Sequence, residues 1–442
     1  MRSVEQEVLS KVTPSAAENR NISAAVKHLV ESVRAAAADL EAHIEPKLVG
    51  SVAKGTHMKD PDIDLFLMFP ESTPLEELRD KGLEIGRRVV RGREHFAQHP
   101  YVRGVHDGYQ VDLVPCFMVK DPLKRMSAVD RTPFHTEFVV ANLPPARRDQ
   151  VRLLKRFMKG IGCYGAEAKV QGFSGYLCEL LILRFGEFDS VLKAVSGWSK
   201  GESLALPGHP GAEFSDPLTF IDPVDSSRNV ASAVSVDSLV TFIKASRAYL
   251  QKPDMRFFYP RAQRSWGIKQ VEQRAGKRRE AFVAVSFEKL DLIDDVLYPQ
   301  LRKSAASMAS LLRRNDFEVV GSTIDVDREV NILIEVESMT LPKERIHRGP
   351  PASSPSAREF LAKWDESGLS KPYKERGRWY VVVERQHRRA DKLLKERIPS
   401  LTLGKDVRRI RSFDVASGKK LLSKRYARVL TKHLDDRMPW ER

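Results

Sequence analysis

The sequence predicts a multidomain α+β chain, with an α/β head over residues 1–150, a helical second domain over 151–255, a ferredoxin-like body over 256–385 and a basic helical tail over 386–442. Three observations carry this reading. The length, 442 residues, exceeds what one hydrophobic core usually serves. Strand and helix patterns change order along the chain: mixed at first, then helical, then β-α-β-β-α-β. The positive charge gathers at the C-terminal end.

In the head, ENRNISAAVKHLVESVRAAAADLEAH (18–43) reads as an alanine-rich amphipathic helix capped by Asn21 or Ser23. Short apolar strands follow at 44–50 and 62–69, helix signals at 74–92, and strands near 101–106 and 109–118. Helical periodicity returns over 149–163 and 172–186, and a further helix ends near 249. KGESLALPGHPGAEFSDP, rich in glycine and proline, separates them as a loop. The body reads as strand 280–287, helix 296–314, strands 316–324 and 329–338, helix 356–366 and strand 378–384. It lacks the ring-rich motif of RNA-recognition domains, so base stacking on its sheet is not expected. Tail helices are expected at 386–397 and 418–434.

Composition narrows the function classes. Hydrophobic content is 42% and charged content 30%, and no apolar run approaches the roughly 18 residues of a membrane span. The opening MRSVEQEVLSKV has no signal-peptide apolar core, so cytoplasmic residence without a membrane is expected. Cys116, Cys163 and Cys178 form no CxxC pair and predict neither a disulfide framework nor a zinc cluster. Formal charge is +15, and residues 386–442 hold 17 Lys/Arg against 7 Asp/Glu. Concentration at one end points to a nucleic-acid contact.

The chemistry begins in KLVGSVAKGTHMKDPDIDLFLMFP, residues 47–70. Asp62 and Asp64, two positions apart at the mouth of a strand, share one face about 6.6 Å apart. LFLMF behind them is apolar on both faces, as in a covered central strand. Two carboxylates there repel and lose hydration unless a cation lies between them, and a divalent metal is the simplest such cation. The bland alternative is a solvated edge shaped by Asp60 and Pro61. Upstream, Gly50 allows close backbone approach to a ligand, Ser51 offers a hydroxyl and an N–H to phosphate, and Lys54 adds charge. YQVDLVPCF places a lone carboxylate, Asp112, inside another apolar strand as a third ligand. Three carboxylates on adjacent strands hold two Mg2+ ions about 3.5–4 Å apart, the arrangement of two-metal phosphoryl chemistry.

The glycine-serine pair, the D-h-D-h pattern and the lone aspartate in a later strand resemble the DNA polymerase beta-like nucleotidyltransferase superfamily. SAVDRTPFH (127–135), VRLLKRFMK (151–159), YGAEAKVQGFSGYLCELLI (164–182), DPVDSSRNVA (222–231) and DDVLYPQL (294–301) resemble the archaeal, class I CCA-adding enzymes. The resemblance implies a tRNA nucleotidyltransferase adding C, C and A from CTP and ATP without a template. It implies a catalytic head, a neck that reads the base, and a body and tail that grip tRNA; relatives suggest a homodimer. By motif, Asp62 and Asp64 would bind both metals, and Asp112 the catalytic one. Ser51, Lys155 and Tyr164 would contact the triphosphate, Thr132 and His135 would lie near sugar and phosphates, and Arg228 would help select the base. Lys54 stands where relatives often carry arginine, keeping the charge without the bidentate fork.

Two other readings share the three aspartates: a poly(A) polymerase or oligoadenylate synthetase relative using ATP alone, and an RNA-binding protein with a vestigial site. His95, His99 and His106 span a turn into a strand and read as surface histidines. Arg228 could instead pair with Asp222 or Asp225, and Lys155 could be an ordinary surface lysine.

Overall fold

The computed structural model describes residues 2–96, 100–124, 126–127 and 129–442; His99 lies outside them. The chain divides into one unit of Met1–Ala262, Ile293–Val296 and Arg437–Arg442, and a second of Gln263–Leu292 and Leu297–Asp436. No helix among the described residues is long and apolar enough to cross a membrane.

In the first unit, α1 (Ser3–Val12) precedes α2 (Ala16–Asp39). The α2 helix starts earlier than Asn21 or Ser23 suggests. Ser15 and Glu18 form a capping box, in which Ser15 Oγ accepts from the Glu18 N–H at 3.2 Å and Glu18 accepts from the Ser15 N–H at 2.7 Å. Next come β1 (Glu45–Val49), α3 (Gly50–Lys54), β2 (Ile63–Phe69), α4 (Leu75–Val89), β3 (Arg91–Phe96), β4 (Pro100–His106) and β5 (Tyr109–Phe117). They form a sheet of order β1-β2-β5-β4-β3 in which only β2 and β5 run parallel. Strand alternation then sorts β2. Ile63, Leu65, Leu67 and Phe69 join Leu29, Val33 and Leu83 of α2 and α4 in one core. Phe66 and Met68 face the other side with Val49 and Cys116. The central strand is apolar on both faces, as its sequence predicts, and Asp64 lies on the face away from α2 and α4.

Helices α5 (Thr132–Asn142), α6 (Arg148–Gly160), α7 (Gly175–Phe185), α8 (Phe188–Ser196) and α9 (Val236–Gln251) follow. A parallel pair of short strands, β6 (Glu202–Leu204) and β7 (Leu218–Phe220), flanks the Gly/Pro-rich loop. Phe157, Phe173, Leu181, Phe188, Phe242 and Tyr249 fill the helical core. Asp130, fully buried, accepts hydrogen bonds from the N–H groups of Phe117, Met126 and Ser127 and so fixes the entry to α5.

The second unit contains α10 (Ile268–Ala275), β8 (Ala281–Glu288), α11 (Asp294–Arg314) from Leu297 onward, β9 (Val319–Val326), β10 (Glu329–Val336), β11 (Glu344–Pro351), α12 (Ala357–Trp364), β12 (Tyr373–Glu375), β13 (Arg378–Glu384), α13 (Ala390–Arg397), β14 (Asp414–Ser417) and α14 (Lys424–Leu434). Its main sheet, β14-β8-β10-β9, has the ferredoxin-like order with β14 as the fourth strand and α13 as the second helix. The expected fourth strand, 378–384, instead pairs with β11 and β12 in a separate three-stranded sheet. The reason is local: Val381 and Val383 pack on Phe360 in a small cluster of their own, whereas Leu393 and Leu394 of α13 join Leu301 and Leu312 of α11 on the main sheet. Residues 386–436 therefore continue the second unit instead of forming a separate tail, and Arg437–Arg442 belong to the first. Tyr426 and Leu430 of α14 pack on the other sheet face beside Phe282 and Leu333.

Candidate active site

Strand register sets the site. Val49, Asp64, Asp112 and Arg103 are successive partners across β1, β2, β5 and β4, so Asp64 and Asp112 stand side by side on neighbouring strands about 4.8 Å apart. Asp62 lies just before β2, and its side chain is 55% exposed. The expectation of two buried charges is met in full by neither: Asp62 is exposed, because the strand begins only at Ile63, and Asp64 is half-buried. Burial, then the charges of Asp112 and Asp62, push the Asp64 carboxyl up to about 7. Asp112 is 8% exposed. The Arg103 guanidinium donates to both its oxygens at 2.6 Å and lies 3.7 Å from Asp62. Each carboxylate oxygen keeps a second lone pair, and the Arg103 side chain is 40% exposed. Three hard oxygen donors around a carboxyl that resists ionisation fit a divalent cation of the Mg2+ type.

Gly50 makes this arrangement possible. It has φ +70°, and a Cβ there would meet Asp64 Oδ2 at 2.0 Å. Gly50→Ala is expected to lower the activity of this site by at least about tenfold through displacement of Asp64; an unchanged rate would show that Asp64 needs no such proximity.

A cleft of about 360 Å³ opens beside these aspartates, lined by Gly50, Ser51, Lys54, Asp62, Asp64, Lys155 and Tyr164 among others. Gly50–Lys54 form a short helix, α3, closed by Gly55 in the left-handed region. Beneath the cleft, Glu179 of α7 is 1% exposed. Its carboxylate accepts from Lys54 Nζ at 2.8 Å, Lys155 Nζ at 2.9 Å and Thr56 Oγ1 at 2.6 Å. Burial raises the Glu179 pKa, and the two lysines and Thr56 more than reverse that, holding it at about 2. Lys155 is accordingly buried on α6 and not an ordinary surface lysine. From the same helix Arg152 donates to the carbonyls of His57 at 2.8 Å and Gly55 at 2.7 Å, fixing the 55–57 turn. Tyr164 bridges to Phe173, and burial raises its hydroxyl pKa.

The remaining expected residues gather next door. His135 Nε2 lies 2.9 Å from Asp222 Oδ2, Arg228 Nη1 donates to the same oxygen at 2.8 Å, and Tyr176 donates to Asp222 Oδ1 at 3.2 Å. Burial raises Asp222, but His135, the Val224 N–H and Arg228 hold it at about 2; burial also lowers His135. Arg228 therefore makes the local ion pair that its sequence context allows. Thr132 opens α5, and neither it nor Asp112, His135 and Arg228 lines the cleft. Tyr176 joins the two groups, because it lines the cleft, stacks on His135 at 4.2 Å, and carries Lys54 over its ring at 5.2 Å.

Sequence reasoning missed Glu179, Thr56, Tyr176 and Arg103. Glu179 had a signal: it is the lone acid in YLCELLILRF, an isolated charge in an apolar run like Asp112 in YQVDLVPCF.

Paired aspartates at the mouth of a central strand, a glycine-serine turn against them and a lysine-lined cleft define a nucleotidyltransferase, and the model for a nucleotidyltransferase domain matches residues 30–135. The models for the second domain of tRNA nucleotidyltransferase and for the C-terminal domain of CCA-adding enzyme match 149–259 and 278–418. The chain belongs to the CCA-adding enzymes. It is 39% identical over 410 residues to the CCA-adding enzyme of Methanosarcina acetivorans, covering 91% of this chain and 90% of that one. It is 38% identical to that of Thermoplasma acidophilum, covering 92% of each. It is 37% identical to that of Halobacterium salinarum, covering 90% of this chain and 89% of the relative.

Proposed function

We propose that this tRNA nucleotidyltransferase adds C, C and A to a tRNA 3′ end from CTP and ATP through the Asp62–Asp64–Asp112 site, in the cytoplasm. The side-by-side register of Asp64 and Asp112 carries this reading. Asp62, Asp64 and Asp112 are the residues that would hold two Mg2+ ions. Bound there, the ions supply a lowered hydroxyl pKa and charge neutralisation at the triphosphate. Asp112 orients the primer hydroxyl and helps accept its proton. Ser51, Lys54, Lys155 and Tyr164 orient the triphosphate along the cleft, with Glu179 fixing the two ammonium groups. Thr132 and His135 position the sugar, and Arg228, held by Asp222, meets the base. Chelation of divalent ions with EDTA is expected to stop addition and Mg2+ to restore it. Undiminished addition in EDTA would remove the metals from the scheme.

The basic C-terminal segment supplies tRNA contacts in this reading. Lys419, Lys420 and Lys424 are exposed. Replacing all three with alanine is expected to flatten the dependence of log K for tRNA on log salt by about 0.7–0.9 per lost phosphate contact. An unchanged slope would move the tRNA contacts elsewhere. Truncation at residue 386 is a poorer test, because it removes β14 from the edge of β8.

A further inference from the structure

Outside the cleft, three metal-ligating side chains converge at the turn of the β4–β5 hairpin. His28 comes from α2, His106 ends β4, and Asp107 occupies the turn at φ +49°, followed by Gly108 at φ +82°. Asp107 Oδ2 lies 2.7 Å from His28 Nδ1 and 3.6 Å from His106 Nδ1. The two imidazoles are 4.9 Å apart between centroids and tilted by 58°. One donor atom from each of the three residues lies within 4.8 Å of the other two.

A surface ion pair between His28 and Asp107 accounts for only two of these groups. His106 is different: its side chain is 9% exposed, and its Nδ1 is shut off from water without a hydrogen-bond partner. A buried imidazole nitrogen aimed at a carboxylate but too far to bond it carries an uncompensated desolvation cost. A cation between the three donors removes that cost, and it also links α2 to the hairpin whose second strand carries Asp112.

We propose that His28, His106 and Asp107 form a site for a divalent transition ion of the Zn2+ class, separate from the three catalytic aspartates. Two imidazole nitrogens and one carboxylate oxygen suit zinc or its neighbours, whereas Mg2+ selects oxygen donors. Tetrahedral ligands about 2.0–2.2 Å from zinc stand about 3.4 Å from one another. The 3.6 Å spacing to His106 already fits. The 2.7 Å contact to His28 must open slightly, which two exposed side chains allow. The solvent side is left for water as the fourth ligand. The role is structural: the ion staples the long α2 helix to the hairpin.

The test uses the full chain with Mg2+ in excess to occupy the catalytic carboxylates. Co2+ is titrated as a spectroscopic probe and Zn2+ competes it off, with the melting temperature followed in parallel. One equivalent of Co2+ with four-coordinate ligand-field absorption, displaced by Zn2+, and a higher melting temperature in Zn2+ are expected. Both should weaken by at least about tenfold in affinity in His28→Ala and in Asp107→Asn. They should persist in Asp64→Asn, and nucleotide addition in Mg2+ should be unchanged in His28→Ala. His28 is exposed, so that variant folds regardless of the metal. Absence of saturable Co2+ binding, or binding indifferent to His28→Ala and Asp107→Asn, would overturn the proposal. Loss of binding in Asp64→Asn alone would assign the ion to the catalytic carboxylates and overturn it equally.

Discussion

Asp64→Asn is expected to reduce addition of both C and A by about 10³-fold or more and, at the same time, to make the metal-free protein more stable at pH 8. The first effect follows from losing the carboxylate shared by both proposed metals. The second follows from its environment, in which burial and the neighbouring Asp112 and Asp62 raise its pKa to about 7. A folded protein with a raised carboxyl pKa keeps a proton that the unfolded chain releases from about pH 4 upward. Stability therefore falls as pH rises from about 4 to about 7 and stays at the lower level above that, a cost on the order of a few kcal/mol. Asparagine removes that cost, so the variant should melt higher than the parent in EDTA at pH 8, with the gap closing toward about pH 4. Mg2+ should stabilise the parent more than the variant. Equal melting of the two at pH 8 in EDTA would contradict this electrostatic account of the site.

Glu179→Ala should have the largest effect on stability. It leaves the Lys54 and Lys155 ammonium groups, both nearly buried, without their shared counterion. Removing one partner of such a group costs about 3–5 kcal/mol, which lowers the melting temperature by on the order of 10 °C for a unit of this size. Its folded pKa, about 2, is depressed below the ordinary 4.5. The stability it contributes is therefore complete above about pH 4.5 and drains as pH falls toward 2. Adding Lys54→Met to Glu179→Ala should recover part of the loss, since one uncompensated charge goes. A double variant no more stable than Glu179→Ala would show that the pair is not coupled in this way.

Asp64 and Asp112 stand out in the text because an apolar strand run makes any carboxylate conspicuous, whereas Asp62 lies just before its strand and is exposed. The same rule, applied to helix α7, would have found Glu179. Arg103 was not legible, because only the antiparallel register of β4 on β5 brings it to Asp112, and register is a long-range property. The His135–Asp222–Arg228 cluster likewise joins segments some 90 residues apart in sequence. In the body, the order of strands and helices was readable, but sheet membership was not. RWYVVVE has the pattern of a buried strand, yet the shorter β14 takes the place beside β8, and no local propensity distinguishes the two. Ser15 as the α2 cap was available in the text as S-x-x-E.

The central claim is most directly tested by extension of a tRNA transcript lacking its CCA end, with Mg2+ and with CTP alone, ATP alone, or both. The account predicts two C additions from CTP, one A only after both C residues are in place, and then a stop. A long ladder of A from ATP alone, or tight tRNA binding with no extension, would contradict it.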